Sequence, residues 1–348
     1  MKRKSSGRKS FYDVLEINQW ASPEVIEAAY KALMKKHHPD ISDTTHGSHA
    51  RELNEANDTL SDPDKRAKYD RQLRDREGAV VGEYEVLDRI AEGGFGKTYK
   101  ARHNLTGELV CLKDCSNLDP KFQEILIEEA KAMWDLRHYS IPAVRGLIKN
   151  EDGGLILVMS YIPGLTIEQT VEKHGKLDPE AVAWMLERCL NALKYTHWHG
   201  VIHGDVKPQN IIQQEDTHQV TLVDFGLALV KPNSSSRAKG YTECFAPPEA
   251  LAGKPLVPQS DLYGLGTTAL YALSGGKIDN VIGRRVPDNI PRPLRKFIDR
   301  LIVHDVNGRP KWKQRPDDDG EDLCETIAEV RQESFGKRHS GMKPIKSA

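Results

Sequence analysis

The stretches "VIHGDVKPQNII" (201–212) and "VTLVDFGLA" (220–228) bring Asp205, Asn210 and Asp224 within one hairpin's length of each other. Oxygen donors of this kind suit a hard ion such as Mg²⁺, which keeps waters and substrate phosphates as its other ligands. Upstream, "IAEGGFGKTY" (90–99) is glycine-rich, and a glycine turn lets backbone N–H groups approach phosphates because no Cβ stands in the way. Three glycines are also ordinary hairpin chemistry. In "LVCLKD" (109–114), Cys111 and Lys113 share a face at the strand period, and "EEAKAMWDLRH" (128–138) offers a helical glutamate to pair with that lysine. A single strand lysine is otherwise a solvated edge. The stretch "LMKKHHPDI" (33–41) raises a metal reading, which geometry weakens: adjacent helical side chains point about 100° apart, so His37 and His38 cannot both reach one ion. Pro39 disfavours helical geometry at His38, so the helix ends there and leaves His38 and Asp40 on a loop of restricted shape. From these residues alone, a plain helix-ending turn and a functional loop stand level.

These groups need elements to hold them. Residues 11–72 read as helices: "FYDVLEI", then "SPEVIEAAYKALMKKH" with Ser22 as N-cap and Pro23 at its first position, then "RELNEANDTLS" and "PDKRAKYDRQL". Val25, Ile26, Ala29, Leu33 and Met34 recur at helical spacing in the second, as do Leu53, Ala56, Asn57 and Leu60 in the third. The charged, then glycine-containing "RDREGAVVGEYE" marks a boundary near 74–83. From Tyr84 the runs "YEVLDRI", "TYKARH", "GELVCLKD" and "GLILVMSYI" are strand-like, with "NLTGE" as a hairpin loop, while "KFQEILIEEAKAMWDLRH" and "PEAVAWMLERCLNALKYTHWHG" are helical. The expectation is a strand-built lobe followed by a larger helical one, with a ligand cleft between them.

The totals narrow the classes. A chain of 348 residues holds roughly two domains at about 150 residues each. With 50 basic and 51 acidic residues it has no general polyanion-binding character, so no nucleic-acid partner is expected. Five scattered cysteines lack zinc or disulfide spacing and fit a reducing, cytoplasmic setting. No run approaches the roughly 20 apolar residues of a membrane span, and the basic head "MKRKSSGRKS" is followed too soon by charge to be an export signal. That head and the tail "GKRHSGMKPIKSA" read as solvated ends.

The order "FYDVLEI", "AAYKALMKKHHPD", "LNEANDTLSDPDKRAKYD" resembles the J-domain of DnaJ-type co-chaperones. The resemblance implies that His38, Pro39 and Asp40 form the loop that stimulates ATP hydrolysis by a DnaK-type chaperone, and that Lys31, Lys35 and Lys36 dock on that partner's acidic surface. Glu27 departs from the pattern, since members commonly carry a basic residue there.

The joint pattern from the glycine turn to "VDFGLA" strongly resembles the eukaryotic-type protein kinase catalytic domain. It implies a phosphate-covering loop of Gly93, Gly94, Phe95 and Gly96, with Lys113 on the α- and β-phosphates. Glu129 matches the helical partner of Lys113, because Met133, Leu136, His138 and Ile141 then fall where the family's apolar and histidine positions follow. Asp205 matches the catalytic base, Lys207 the lysine that steadies the γ-phosphate, and Asn210 and Asp224 the holders of two Mg²⁺ ions, with Mn²⁺ as an alternative. Met159 takes the gatekeeper place, with adenine bonded by the backbone of Ser160 and Ile162 and roofed by Cys111. Glu249 and Arg309 match the buried ion pair, and Asp261 the aspartate that supports the catalytic loop.

Departures refine this reading. Ala91 replaces the first glycine of the loop and Thr98 a valine above adenine; "HGD" replaces "HRD", which removes the arginine that an activation-loop phosphate neutralises. Ser234, Ser235, Ser236 and Thr242 are candidate autophosphorylation sites, weighed against a solvated serine loop with Thr242 positioning substrate. Lys207 and Thr242 follow the serine/threonine pattern, and phrases such as "TECFAPPEA" look bacterial.

The expected architecture is therefore multidomain: an all-α J-domain (11–73), a linker (74–83), an α+β bilobal kinase fold (84–332) and a polar tail (333–348). The expected function is an ATP-dependent serine/threonine kinase whose J-domain recruits a DnaK-type chaperone. The alternative is a co-chaperone whose kinase fold binds nucleotide or client with little phosphotransfer.

Overall fold

The computed structural model describes residues 10–17, 21–36, 46–63, 65–66, 69, 80–93, 96–115, 120–149, 154–313 and 319–336. The chain divides into two compact units, residues 1–114 and 115–348. His38, Pro39, Asp40, Gly94 and Phe95 lie outside the described residues, as does the side chain of Lys36.

In the first unit, α1 (Phe11–Val14) opens on a capping box in which the Ser10 hydroxyl accepts from Asp13 N and the Asp13 carboxylate accepts from Ser10 N. Helices α2 (Pro23–Lys36) and α3 (His46–Leu60) pack with it around Tyr12, Leu15, Ile26, Leu33, Leu53 and Leu60, the last four being periodic residues of the sequence, whereas Val25 is exposed. Tyr69 closes this core by stacking on Phe11 and accepting its backbone N–H, while Arg66 donates to the Tyr12 hydroxyl and to Ala21 O. The third helix was expected from Arg51; it begins at His46, because "HGSHA" carries no apolar periodicity to mark its first turn. At the start of α2, the Ser22 hydroxyl and the helix N-terminus hold the Glu24 carboxyl below the usual carboxylate range. On its exposed face Lys31 Nζ pairs with Glu27 Oε1 at 2.6 Å, so the acidic departure sits directly on a lysine assigned to docking.

Strand β1 (Val80–Val81) pairs antiparallel with the beginning of β2 (Tyr84–Gly93), within the segment read as linker. β2 turns back into β3 (Gly96–His103), and β3 into β4 (Leu109–Asp114) through "NLTGE", where Gly107 has φ of 75°.

The second unit begins with α4 (Pro120–Met133), shorter than the sequence suggested: the chain leaves the helix at Trp134, and Leu136 N bonds Met133 O in a turn. Strands β5 (Val144–Lys149) and β6 (Leu155–Ser160) form an antiparallel hairpin on which α4 packs. Strand β7 (Leu165–Thr166) leads through a Thr166 capping box into α5 (Ile167–His174). The long α6 (Pro179–Trp198) is capped by Asp178 and followed by β8 (Val201–Ile202). Strands β9 (Ile211–Gln213) and β10 (Val220–Leu222) make the hairpin that precedes "VDFG", and β11 (Leu229–Val230) pairs back on β8. Helix α7 (Pro248–Leu251) precedes α8 (Pro258–Ser274), which is buried without interruption from Ser260 to Ser274. A helix apolar on every side belongs at the centre of a core. Against it lie α9 (Ile278–Ile282) and α10 (Arg292–Leu301), while α11 (Leu323–Phe335) packs on α6 and α10. Among the described residues no helix is long and apolar enough to cross a membrane.

Candidate active site

Candidate residues fall in both units. In the first, Gly93 and Gly96 face each other across the β2–β3 hairpin, and Gly96 has φ of 112°. Ala91 pairs with Thr98 and Thr98 with Lys113, so directly opposed positions put all three in one row on one face of the three strands. Cys111, two residues from Lys113, shares that face. Lys113 is buried, unlike a solvated edge lysine.

In the second unit, Glu129 is buried on α4, whereas Glu128 is paired with Lys131 at the surface. Met159 is buried on β6. The Ser160 N–H is taken up by Ala143 O at 2.9 Å, so the group Ser160 has to offer an adenine edge is its carbonyl.

The catalytic loop hangs from α8. Burial alone would raise the Asp261 carboxyl, but His197 and His203 beside it and the Gly204 N–H outweigh this and hold it below the usual carboxylate range. Asp261 Oδ2 accepts from His203 N and Oδ1 from Gly204 N, both at 2.8 Å. Close approach requires Gly264 on α8: a Cβ there would meet Val206 O at 2.5 Å. Gly204 explains the missing arginine, since its φ is 78° and a Cβ would lie 2.9 Å from Leu227 O. His203 accepts from Asp205 N at Nδ1, which leaves Nε2 to donate to Val223 O at 3.0 Å.

Asp205 is thereby placed with Oδ2 on Lys207 Nζ at 2.6 Å and Asn210 Nδ2 at 3.2 Å; Lys207 also donates to Thr242 Oγ1 at 2.9 Å. Asn210 Nδ2 further donates to Asp205 O, and Asn210 O accepts from Val223 N, which ties the loop to the residue before Asp224. Asp224 itself has φ of 64° and accepts from Gly226 N. A shallow, open depression lies beside Asp205, lined by Tyr241, Thr242, Phe245 and Leu256 among others. Gln209 donates to Glu168, whose carboxyl burial pushes upward against that bond.

Glu249 and Arg309 form a bidentate buried pair at 2.7 and 2.9 Å, with Ser260 Oγ also on the carboxylate. In the serine loop, Ser235 Oγ donates to Asn233 Oδ1 and Ser236 Oγ accepts from Asn233 N, while Ser234 is exposed. Thr242 Oγ1 accepts from Lys207 Nζ. The sequence pattern carried no sign of His197 or Trp312, which bond each other across 115 positions. Among the described residues no three His, Cys, Asp or Glu side chains cluster to hold a metal by themselves.

Comparison with known proteins identifies two domains. Residues 84–319 match the model of the protein kinase domain, and residues 10–70 that of the DnaJ domain. The chain is similar to serine/threonine-protein kinase F of Synechocystis sp., 30% identical over 257 residues, covering 64% of this chain and 52% of that protein. It is similar to serine/threonine-protein kinase B of the same organism, 32% identical over 215 residues (56% and 37%). Maternal embryonic leucine zipper kinase of Danio rerio is 31% identical over 209 residues (58% and 30%). The chain thus spans about half or less of the length of these relatives.

Proposed function

The chain belongs to the protein kinase family, and from that premise we propose that it transfers the γ-phosphoryl group of ATP to serine or threonine hydroxyls of proteins. The observation that carries this is the Asp205 carboxylate. Its Oδ2 is fixed by Lys207 and Asn210, which leaves Oδ1 to accept the proton of a substrate hydroxyl entering the depression beside it. Lys207, held by Asp205 and Thr242 together, has a cation in place for the charge that develops on the transferred group. A divalent ion, when bound, neutralises phosphate charge. Asn210 fits such an ion: its amide nitrogen is committed to Asp205, so the amide oxygen is the free donor, and Asp224 adds a carboxylate. Mg²⁺, as a pair of ions, suits this all-oxygen set. Lys113, in one row with Ala91 and Thr98, supports an ATP site roofed by that face. Incorporation of labelled phosphate from ATP, compared with an Asp205→Asn control, tests the reading.

Gly204 supports activity without activation-loop phosphorylation, because its backbone geometry excludes the arginine such a phosphate would engage. Phosphatase-treated protein is expected to keep most of its phosphotransfer rate, and complete loss would refute this.

The DnaJ match supports a second role, recruitment and stimulation of a DnaK-type chaperone through Lys31, Lys35, Lys36 and the loop His38–Pro39–Asp40. His38→Gln is expected to abolish stimulation of the chaperone's ATPase while phosphotransfer stays intact; unchanged stimulation would remove the co-chaperone role. The scattered spacing of Cys111, Cys115, Cys189, Cys244 and Cys324, without a disulfide or zinc pattern, supports a reducing, cytoplasmic setting.

A further inference from the structure

We propose that Trp312 is a positioning residue for the catalytic loop, acting through His197 and Asp261. The indole N–H of Trp312 donates to His197 Nδ1 at 2.7 Å, and His197 Nε2 meets Asp261 Oδ2 at 2.7 Å. An indole nitrogen can only donate, so Nδ1 must accept, and the imidazole proton is placed on Nε2, aimed at the carboxylate. The same Asp261 carries the backbone N–H groups of His203 and Gly204, the two residues before Asp205. Trp312 therefore stands at the outer end of a continuous hydrogen-bonded chain that ends on the loop of the catalytic base.

Burial gives that chain its force. Trp312 is 6% exposed, and the His197 and Asp261 side chains 1% each, so no water is at hand to replace a lost partner. With the proton on Nδ1, two donors would face each other, and Asp261 Oδ2 would lose one of its two hydrogen bonds. Trp312 is itself held in register by its neighbours: Lys313 N donates to Glu321 O at 3.0 Å and Glu321 N to Lys311 O at 2.9 Å. Glu321 also takes a hydrogen bond from Arg300 on α10. The segment after α10 thus does more than end the domain: it sets the tautomer on which the catalytic loop rests.

The kinetic readout rests on the proposed kinase activity, whereas the tautomer readout stands without it, so failure of either is distinguishable. Trp312→Phe keeps an aromatic ring and removes the donor. In full-length protein it is expected to lower kcat about two- to tenfold, the worth of one hydrogen bond, with KM for ATP unchanged. In the His197→Gln background it is expected to add nothing. Nitrogen-15 NMR of histidine-labelled wild type is expected to find the His197 proton on Nε2, and Trp312→Phe to relax that preference. A wild-type proton on Nδ1, an unaltered tautomer in Trp312→Phe, or equal losses in both backgrounds would overturn the proposal, and the wild-type spectrum decides even if a variant fails to fold.

Discussion

The Asp205→Asn protein is expected to lose phosphotransfer by about 10²–10⁴-fold in kcat, the usual contribution of a positioned general base, while its KM for ATP changes little. The substitution keeps the shape of the side chain. Its amide oxygen would take the place of Oδ2, accepting from Lys207 and Asn210, because both of those neighbours are donors. The amide nitrogen would then occupy the position of Oδ1 and offer the substrate hydroxyl a donor where an acceptor is needed. Asn210 and Asp224 are untouched, so nucleotide and metal binding should persist. Single-turnover transfer from labelled ATP measures the difference. Wild-type incorporation no greater than that of Asp205→Asn would leave the co-chaperone reading, with the kinase fold binding nucleotide or client, as the better account.

The second large effect is on stability. Arg309→Met removes one partner of a buried ion pair and leaves Glu249, 6% exposed, with the Ser260 hydroxyl alone, among the described residues, against its charge. Breaking such a pair costs about 3–5 kcal/mol. At about 2–4 °C per kcal/mol for a domain of this size, the melting temperature should fall by roughly 10 °C. The guanidinium also satisfies Val303 O, Gln259 O and His304 O and lies over the Tyr263 ring, so several other groups lose their partner at once. Adding Glu249→Met should recover part of the loss by removing the orphaned charge. Differential scanning calorimetry decides, and an unchanged melting temperature for Arg309→Met would refute the account.

What is legible in the sequence is what is local. Asp205, Lys207 and Asn210 lie in one short loop, and the shared face of Cys111 and Lys113 follows from strand alternation, whereas the row of Ala91, Thr98 and Lys113 depends on register shifts in β2 that alternation does not reveal. The α2–α3 core is legible for the same reason, since its apolar residues recur at the helix period. Strand β5 escapes because "VRGLIK" mixes a charge and a glycine into a short run, and its place depends on pairing with β6 rather than on its own propensity. The end of α4 at Met133 is likewise a tertiary decision, since "WDLRH" carries no stop signal of its own. His197 and Trp312 are invisible locally, because their relation exists only after the chain has folded around α8.

The Glu27–Lys31 pair changes the kind of reaction that docking would be. A free lysine gains an acidic partner by simple addition; here a partner carboxylate would first have to replace one already tethered a single helical turn away. An exposed pair of this sort is worth only about 0–1 kcal/mol, so the replacement is cheap, but it is an exchange of like for like with little net Coulombic gain. Added salt would loosen the outgoing and the incoming contact alike. Attraction at this position would therefore respond weakly to ionic strength, and the burden of choosing a partner would shift along the helix to Lys35, which has no such tenant among the described residues.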